Sequence, residues 1–230
     1  MDSRQKVELL EKNKPRQERA KRTYEAILAA AAELLVEVGV ERISTNLIAR
    51  RAGITVPALY RYFPNKYAVM HALGAVLMDV QNKVFEEWFL TYIESGDPQV
   101  MMENLYDLFK ATYDVTLQQP GGLEIAQALR AVGPLQELRL ASHQLVAREF
   151  ARILAGMFDR IMDDAFVLKV RVAIDTGYSV VEMVLEDTSL PAEQTLREGA
   201  RMVELYWKQI LAEANPPWSE PTERGPTERG

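Results

Sequence analysis

Apolar positions recur along this chain at three- and four-residue spacing almost from end to end. Tyr24, Ile27, Leu28, Ala31, Leu34, Leu35 and Val38 share one face of a helix predicted near 19–38, and Gly39 stands where a left-handed residue would end it. A polar-capped segment follows, Ser44 to Ala52, closed by Gly53 and reopened by Thr55, with Pro57 in the next first turn, where its missing N–H costs nothing. That pattern predicts two short helices around a tight turn. A long periodic stretch then covers 66–92, and further helices are predicted at 98–117, 123–132, 135–158, 165–187 and 192–213, punctuated by Gly96, Pro120-Gly121-Gly122, Gly133-Pro134 and Pro191. One stretch reads both ways. Phe166, Leu168, Val170, Val172 and Ile174 alternate as a strand would. However, Val167, Val170, Ile174, Tyr178, Val181 and Leu185 carry a helical stripe much further, and no hairpin partner exists elsewhere, so helix is the reading. The expected fold class is all-α with about nine helices.

Composition fits an ordinary globular chain: 48% of residues are hydrophobic and 26% charged. No uninterrupted apolar run approaches the roughly 20 residues needed to span a bilayer, and the polar N-terminus lacks the apolar segment of a signal peptide. The expectation is a cytoplasmic protein with no membrane partner. Absence of cysteine excludes disulfides, thiolate-ligated metal and thiol chemistry.

Charge changes the picture more. The net charge of −6 conceals an asymmetry: residues 1–73 hold 13 Lys and Arg against 8 Asp and Glu, whereas 74–230 hold 14 against 25. From Arg42 to Lys66 the basic residues Arg42, Arg50, Arg51, Arg61 and Lys66 meet no acid at all. A localised basic region on an acidic chain points to a polyanion contact held in one place. Residues 3–22 add eight basic groups against three acidic ones, a candidate arm for a phosphate backbone or minor groove.

A helix followed by short helix, glycine turn and short helix is the layout of a helix-turn-helix DNA reader, whose second short helix presents its N-terminal side chains to base edges. Here that helix runs from about Val56 to Tyr62, with Leu47 or Ile48, Ala49, Ala52, Ile54, Leu59 and Phe63 turned inward. At Ser44-Thr45-Asn46-x-Ile48-Ala49-x-x-Ala52-Gly53-Ile54-Thr55-x-x-x-Leu59-Tyr60-x-Tyr62-Phe63-Pro64-Asn65-Lys66 the sequence resembles the TetR family of bacterial one-component transcription regulators. The resemblance covers about residues 19–73. It implies phosphate contacts from Ser44 or Thr45, Tyr60, Tyr62 and Lys66 and groove contacts from Thr55 to Arg61, with Asn46 in the same DNA-binding set. Val56, Pro57 and Ala58 depart from the commoner family pattern and offer only van der Waals contact, so Arg61 alone on this helix is suited to bidentate guanine reading.

The resemblance further implies a C-terminal half that binds a small effector and pairs about a two-fold axis. The expected domains are a basic arm at 1–18, a three-helix DNA-binding domain at 19–66, a larger helical effector-binding and dimerisation domain at 67–214, and a low-complexity tail at 215–230 containing two copies of Pro-Thr-Glu-Arg-Gly. Met102, Tyr106, Phe109 and Tyr113 recur at helical spacing, as do His143, Phe150 and Met157 on a later helix. With Trp88 and Tyr92, they are the candidate lining for an apolar or aromatic ligand. Candidates for the pairing surface are Tyr178, Val181, Leu185, Leu196, Met202, Val203 and Tyr206.

Enzyme chemistry finds little footing. Only His71 and His143 exist, phosphate loops and His-x-x-x-His pairs are absent, and no cofactor is expected. The reading is a homodimeric repressor released from a palindromic operator by a small molecule. Its rivals are a helical ligand-binding protein or enzyme without a DNA role, and a sequence-independent DNA binder.

Overall fold

A computed structural model describes residues 17–94, 96–157 and 162–214, so the candidate arm at 1–16 and the tail from 215 lie outside the described residues. Among those described there are ten helices and no strand. They are α1 (Glu18–Arg42), α2 (Thr45–Arg51), α3 (Val56–Tyr60), α4 (Lys66–Ile93), α5 (Pro98–Glu103), α6 (Leu105–Gln118), α7 (Gly122–Ala131), α8 (Gly133–Met157), α9 (Asp164–Glu186) and α10 (Ala192–Ala214).

Local chemistry sets most boundaries. Gly39 interrupts α1 with φ 73°, where the apolar periodicity stops. Ser44 caps α2 by accepting the Leu47 N–H at 3.3 Å, and Gly53, at φ 66°, closes it: the Gly53 N–H donates to the Arg50 carbonyl at 3.2 Å and the Ile54 N–H to the Ala49 carbonyl at 3.0 Å. Thr55 caps α3 through the Ala58 N–H at 3.3 Å, and Asn65 caps α4 through the Ala68 N–H at 3.0 Å. The doubtful stretch at 166–174 is helical, with Asp163 accepting the Phe166 N–H at 2.7 Å.

One predicted helix is two. The stretch 98–117 breaks at Asn104 (φ −106°, ψ 20°) because this residue's backbone carbonyl accepts the Trp88 indole N–H at 2.9 Å, while its side-chain amide donates back to the Val100 carbonyl at 2.7 Å. The apolar spacing runs straight through the break and does not mark it.

Two cores result. The first gathers α1, α2, α3 and the first half of α4 around Ile27, Leu35, Ile48, Leu59 and Phe63, and it recruits Ile125 and Leu129 of α7 and Leu135 of α8. The second surrounds Trp207, Phe150, Phe166 and Met101 with α4, α5, α6, α8, α9 and α10. Helix α4 belongs to both: Val69, Leu73 and Leu77 are in the first core, Trp88 and Phe89 in the second. At 28 residues it is about 42 Å long.

Candidate nucleic-acid interface and effector chamber

The first core turns α2 and α3 outward at one end. Leu59 and Phe63 are fully buried and Tyr24 stacks on Phe63 at 5.2 Å, which fixes the turn after α3. Asn46, Thr55, Pro57, Tyr60 and Arg61 are then exposed, and Ser44, Thr45, Val56, Ala58 and Lys66 half-buried. The Thr45 and Tyr60 hydroxyls lie 3.2 Å apart and join the two short helices at the surface. Tyr62 is different: it is 8% exposed and its ring meets Tyr24 edge-on at 6.3 Å, so packing occupies it. Lys66 donates to the Val40 and Glu41 carbonyls at 3.1 and 3.3 Å, satisfying the end of α1. Arg51 binds Glu37 through two nitrogens, at 2.8 and 2.6 Å, and Glu33 at 3.0 Å. That fork holds the Glu37 carboxyl below its ordinary range and ties α2 to α1. The acid-free run from Arg42 to Lys66 is therefore not all available charge; acids on α1 reach one of its arginines.

In the second core lies a cavity of about 50 Å³. Three expected lining residues, Trp88, Phe109 and Phe150, form part of its wall. Sequence reasoning missed Gln81, Phe85, Gly177 and Trp207. Two of these left a signal: Gln81 interrupts the buried stripe of α4, and Gly177 sits in mid-helix, where glycine costs about 1 kcal/mol relative to alanine. A Cβ on Gly177 would lie 2.9 Å from the Phe109 ring, so this glycine makes room for that aromatic wall.

The remaining ligand candidates lie elsewhere. Met102 and Tyr106 border an open groove beside Arg197 and Glu204. Tyr92 donates to Asp107 at 2.8 Å, Tyr113 packs half-buried on the second core, and the Met157 side chain lies outside the described residues. His143 lines a smaller adjoining cavity with Arg139 and Glu182, and stacks on Tyr178 at 4.0 Å. Burial pushes its imidazole down to about 4 against the raising influence of Asp175. The 2.9 Å contact between His143 Nδ1 and Asp175 is thus a neutral imidazole donating to a carboxylate at neutral pH.

The pairing candidates divide by burial. Tyr178, Val181 and Val203 line the chamber, Leu185 and Leu196 are buried in the same core, and Tyr206 packs against it. The strongest apolar stripe of a helix marks the face that its own domain buries. Met202 alone of the set is well exposed, at 51%, joined by Leu205 on α10 and by Leu168, Val172 and Met183 on α9.

A helix-turn-helix head carried on a helical body with an internal chamber defines a class of DNA-reading architecture. Residues 27–73, about a fifth of the chain, match the model of the bacterial regulatory proteins of the tetR family, and this domain is what the chain shares with that family. The tetracycline repressor protein class C of Escherichia coli is 40% identical over 58 residues, which are 25% of this chain and 26% of the repressor. The chain thus matches about a quarter of that relative's length. Likeness of fold extends much further. NalD of Pseudomonas aeruginosa, the secondary repressor of the MexAB-OprM multidrug efflux pump, superposes with a TM-score of 0.59 at 24% identity, covering 83% of this chain and 96% of its own. RolR in complex with resorcinol gives 0.53 at 16%, covering 88% and 97%.

Proposed function

We propose that this protein is a ligand-responsive transcriptional regulator, a repressor that binds a palindromic operator as a homodimer and leaves it when a small apolar or aromatic effector occupies the chamber of the second core. The observation that carries the reading is the capped α2–turn–α3 unit, with Thr55, Pro57, Tyr60 and Arg61 exposed on and beside α3, in a domain that matches the family model. Asn46, Ser44, Thr45 and Tyr60 donate to phosphates in this reading. Thr55, Val56, Pro57, Ala58 and Arg61 face the groove, and Arg61 supplies the bidentate contact. Lys66 adds phosphate charge once it leaves the α1 carbonyls, and Tyr62 supports the unit from the core.

The mostly apolar chamber supports an apolar effector, as does the phenolic ligand of the RolR complex. Exposed Leu168, Val172, Met183, Met202 and Leu205 support pairing through α9 and α10. Because α4 belongs to both cores, a ligand that repacks Trp88 or Gln81 moves the same helix that Asn65 anchors to the head. A difference in affinity between two α4 positions gives the family of states a coupling of about 1–3 kcal/mol.

Selection of bound genomic fragments followed by footprinting tests the proposal. A palindrome with half-sites roughly 34–36 Å apart is the expected product. Arg61→Ala should relax base preference at one position per half-site, by roughly 1–3 kcal/mol, with little change in the salt slope. Equal affinity for scrambled duplexes would sink the regulator reading.

A further inference from the structure

Gln81 is a buried amide in the wall shared by the chamber and the smaller cavity beside it. It is 7% exposed, and its oxygen Oε1 has no hydrogen-bond partner. Its orientation is not free. Thr116, fully buried on α6, donates its single hydroxyl proton to the Thr112 carbonyl at 2.7 Å. The Thr116 oxygen can then only accept, and it accepts the Gln81 Nε2–H at 2.8 Å. Flipping the amide would set two acceptors face to face. The chain Gln81–Thr116–Thr112 therefore holds the nitrogen of Gln81 toward α6 and leaves an unpaired carbonyl buried in the wall between the chamber and the smaller cavity.

An unsatisfied buried acceptor is costly, and a guest that brings a donor to it removes that cost. We infer that the effector is a single-ring apolar molecule carrying a neutral hydroxyl donor, of the phenol or alcohol class, whose O–H donates to Gln81 Oε1, and that the chamber discriminates against carboxylates. The inference rests on the chamber being the effector site. Its free space of about 50 Å³ is smaller than the roughly 150 Å³ apolar cavity that takes up benzene, so a single ring is the upper limit and enters only as the aromatic walls of Phe85, Trp88, Phe109, Phe150 and Trp207 move apart. A carboxylate would offer only acceptors to the fixed carbonyl. Arg139, whose Nε is also buried without a partner, borders the second cavity only, alongside Glu182, so an acid drawn to it would leave the chamber and the Gln81 carbonyl behind.

The test is calorimetric titration of the full-length dimer with 4-methylphenol, p-xylene and 4-methylbenzoate, the first two being near-isosteric. The expected result is 4-methylphenol binding about tenfold more tightly than p-xylene, from one added hydrogen bond to a buried acceptor, with 4-methylbenzoate weakest. Gln81→Met keeps the volume and should erase the tenfold preference while p-xylene affinity stays as it was. Equal affinities for 4-methylphenol and p-xylene, or tightest binding by 4-methylbenzoate, overturn the donor inference and leave the chamber reading standing. No binding by any of the three removes the chamber as effector site and the inference with it. The wild-type series needs no variant to fold, so the answer does not depend on Gln81→Met.

Discussion

Single residues in this protein carry assignments that their type alone would not suggest. His143 is the clearest case: an imidazole beside a carboxylate would ordinarily be pulled toward the charged form, yet burial dominates and lowers it to about 4 from an ordinary 6.5. The unfolded chain therefore takes up a proton near pH 6.5 that the folded chain refuses until about pH 4. Stability from this group is complete above pH 6.5 and drains away as pH falls toward 4, by up to about 3 kcal/mol. Denaturant unfolding at pH 7.5 and 4.5 on the wild type and His143→Gln checks it. The variant should lose less stability on acidification, and an identical loss in both would show that His143 titrates normally in the folded state. Gly53 makes a second residue-scale case. Its φ is 66° and no atom lies within 4 Å of where a Cβ would stand, so Gly53→Ala meets backbone strain without a clash. Thermal unfolding should report a cost of about 1 kcal/mol, and Gly53→Asn should recover part of it, because asparagine tolerates the left-handed region.

Among the elements, what was legible in the sequence depended on whether a local signal existed. The glycine at 39, the Ser44 and Thr55 caps and the closing Gly53 are all short-range devices, and each sits where spacing and residue type put it, while Asn65 adds a cap of the same short-range kind that the sequence reading did not single out. The break at Asn104 was invisible because its cause, the Trp88 indole, lies 16 residues away. The chamber was half legible for the same reason. Aromatic spacing picks out Trp88, Phe109 and Phe150 as core, but only tertiary packing separates chamber walls from groove-side residues such as Tyr106. Of the caps, Asn65 ties the long shared helix to the head, with an N–H···O distance of 3.0 Å. Asn65→Ala should cost about 1 kcal/mol and lower Tm by about 2–4 °C for a chain of this size. Asn65→Ser, which restores a capping oxygen, should regain most of it; no recovery would mean that the asparagine acts through something other than its cap.

For the whole molecule, the proposed homodimer needs an apolar surface that pairs two copies, and burial separates the two candidates that hydrophobic spacing confuses. Val203 and Leu196 belong to the protomer's own core at 3% and 0% exposure, whereas Met202 and Leu205 on the same helix are 51% and 58% exposed. The same division holds on α9, where Val181 faces inward and Leu168 and Val172 face out. Charges introduced at the two classes of position should therefore fail in different ways. Met202→Glu with Leu205→Glu touches nothing buried in the protomer, so the folded chain should keep its Tm as a monomer to within roughly 0.5 kcal/mol of stability. Pairing should be lost, because each charge would be carried into an apolar contact in duplicate across the two-fold axis. With it goes the second recognition helix, so affinity for a palindrome should fall to that for a single half-site. Val203→Glu, in contrast, should unfold the second core outright. Sedimentation velocity and circular dichroism on both variants distinguish these outcomes. A Met202→Glu/Leu205→Glu protein that still sediments as a dimer would move the pairing surface off α10 and leave the exposed stripe of α9, or another face of the body, to hold the two heads at operator spacing.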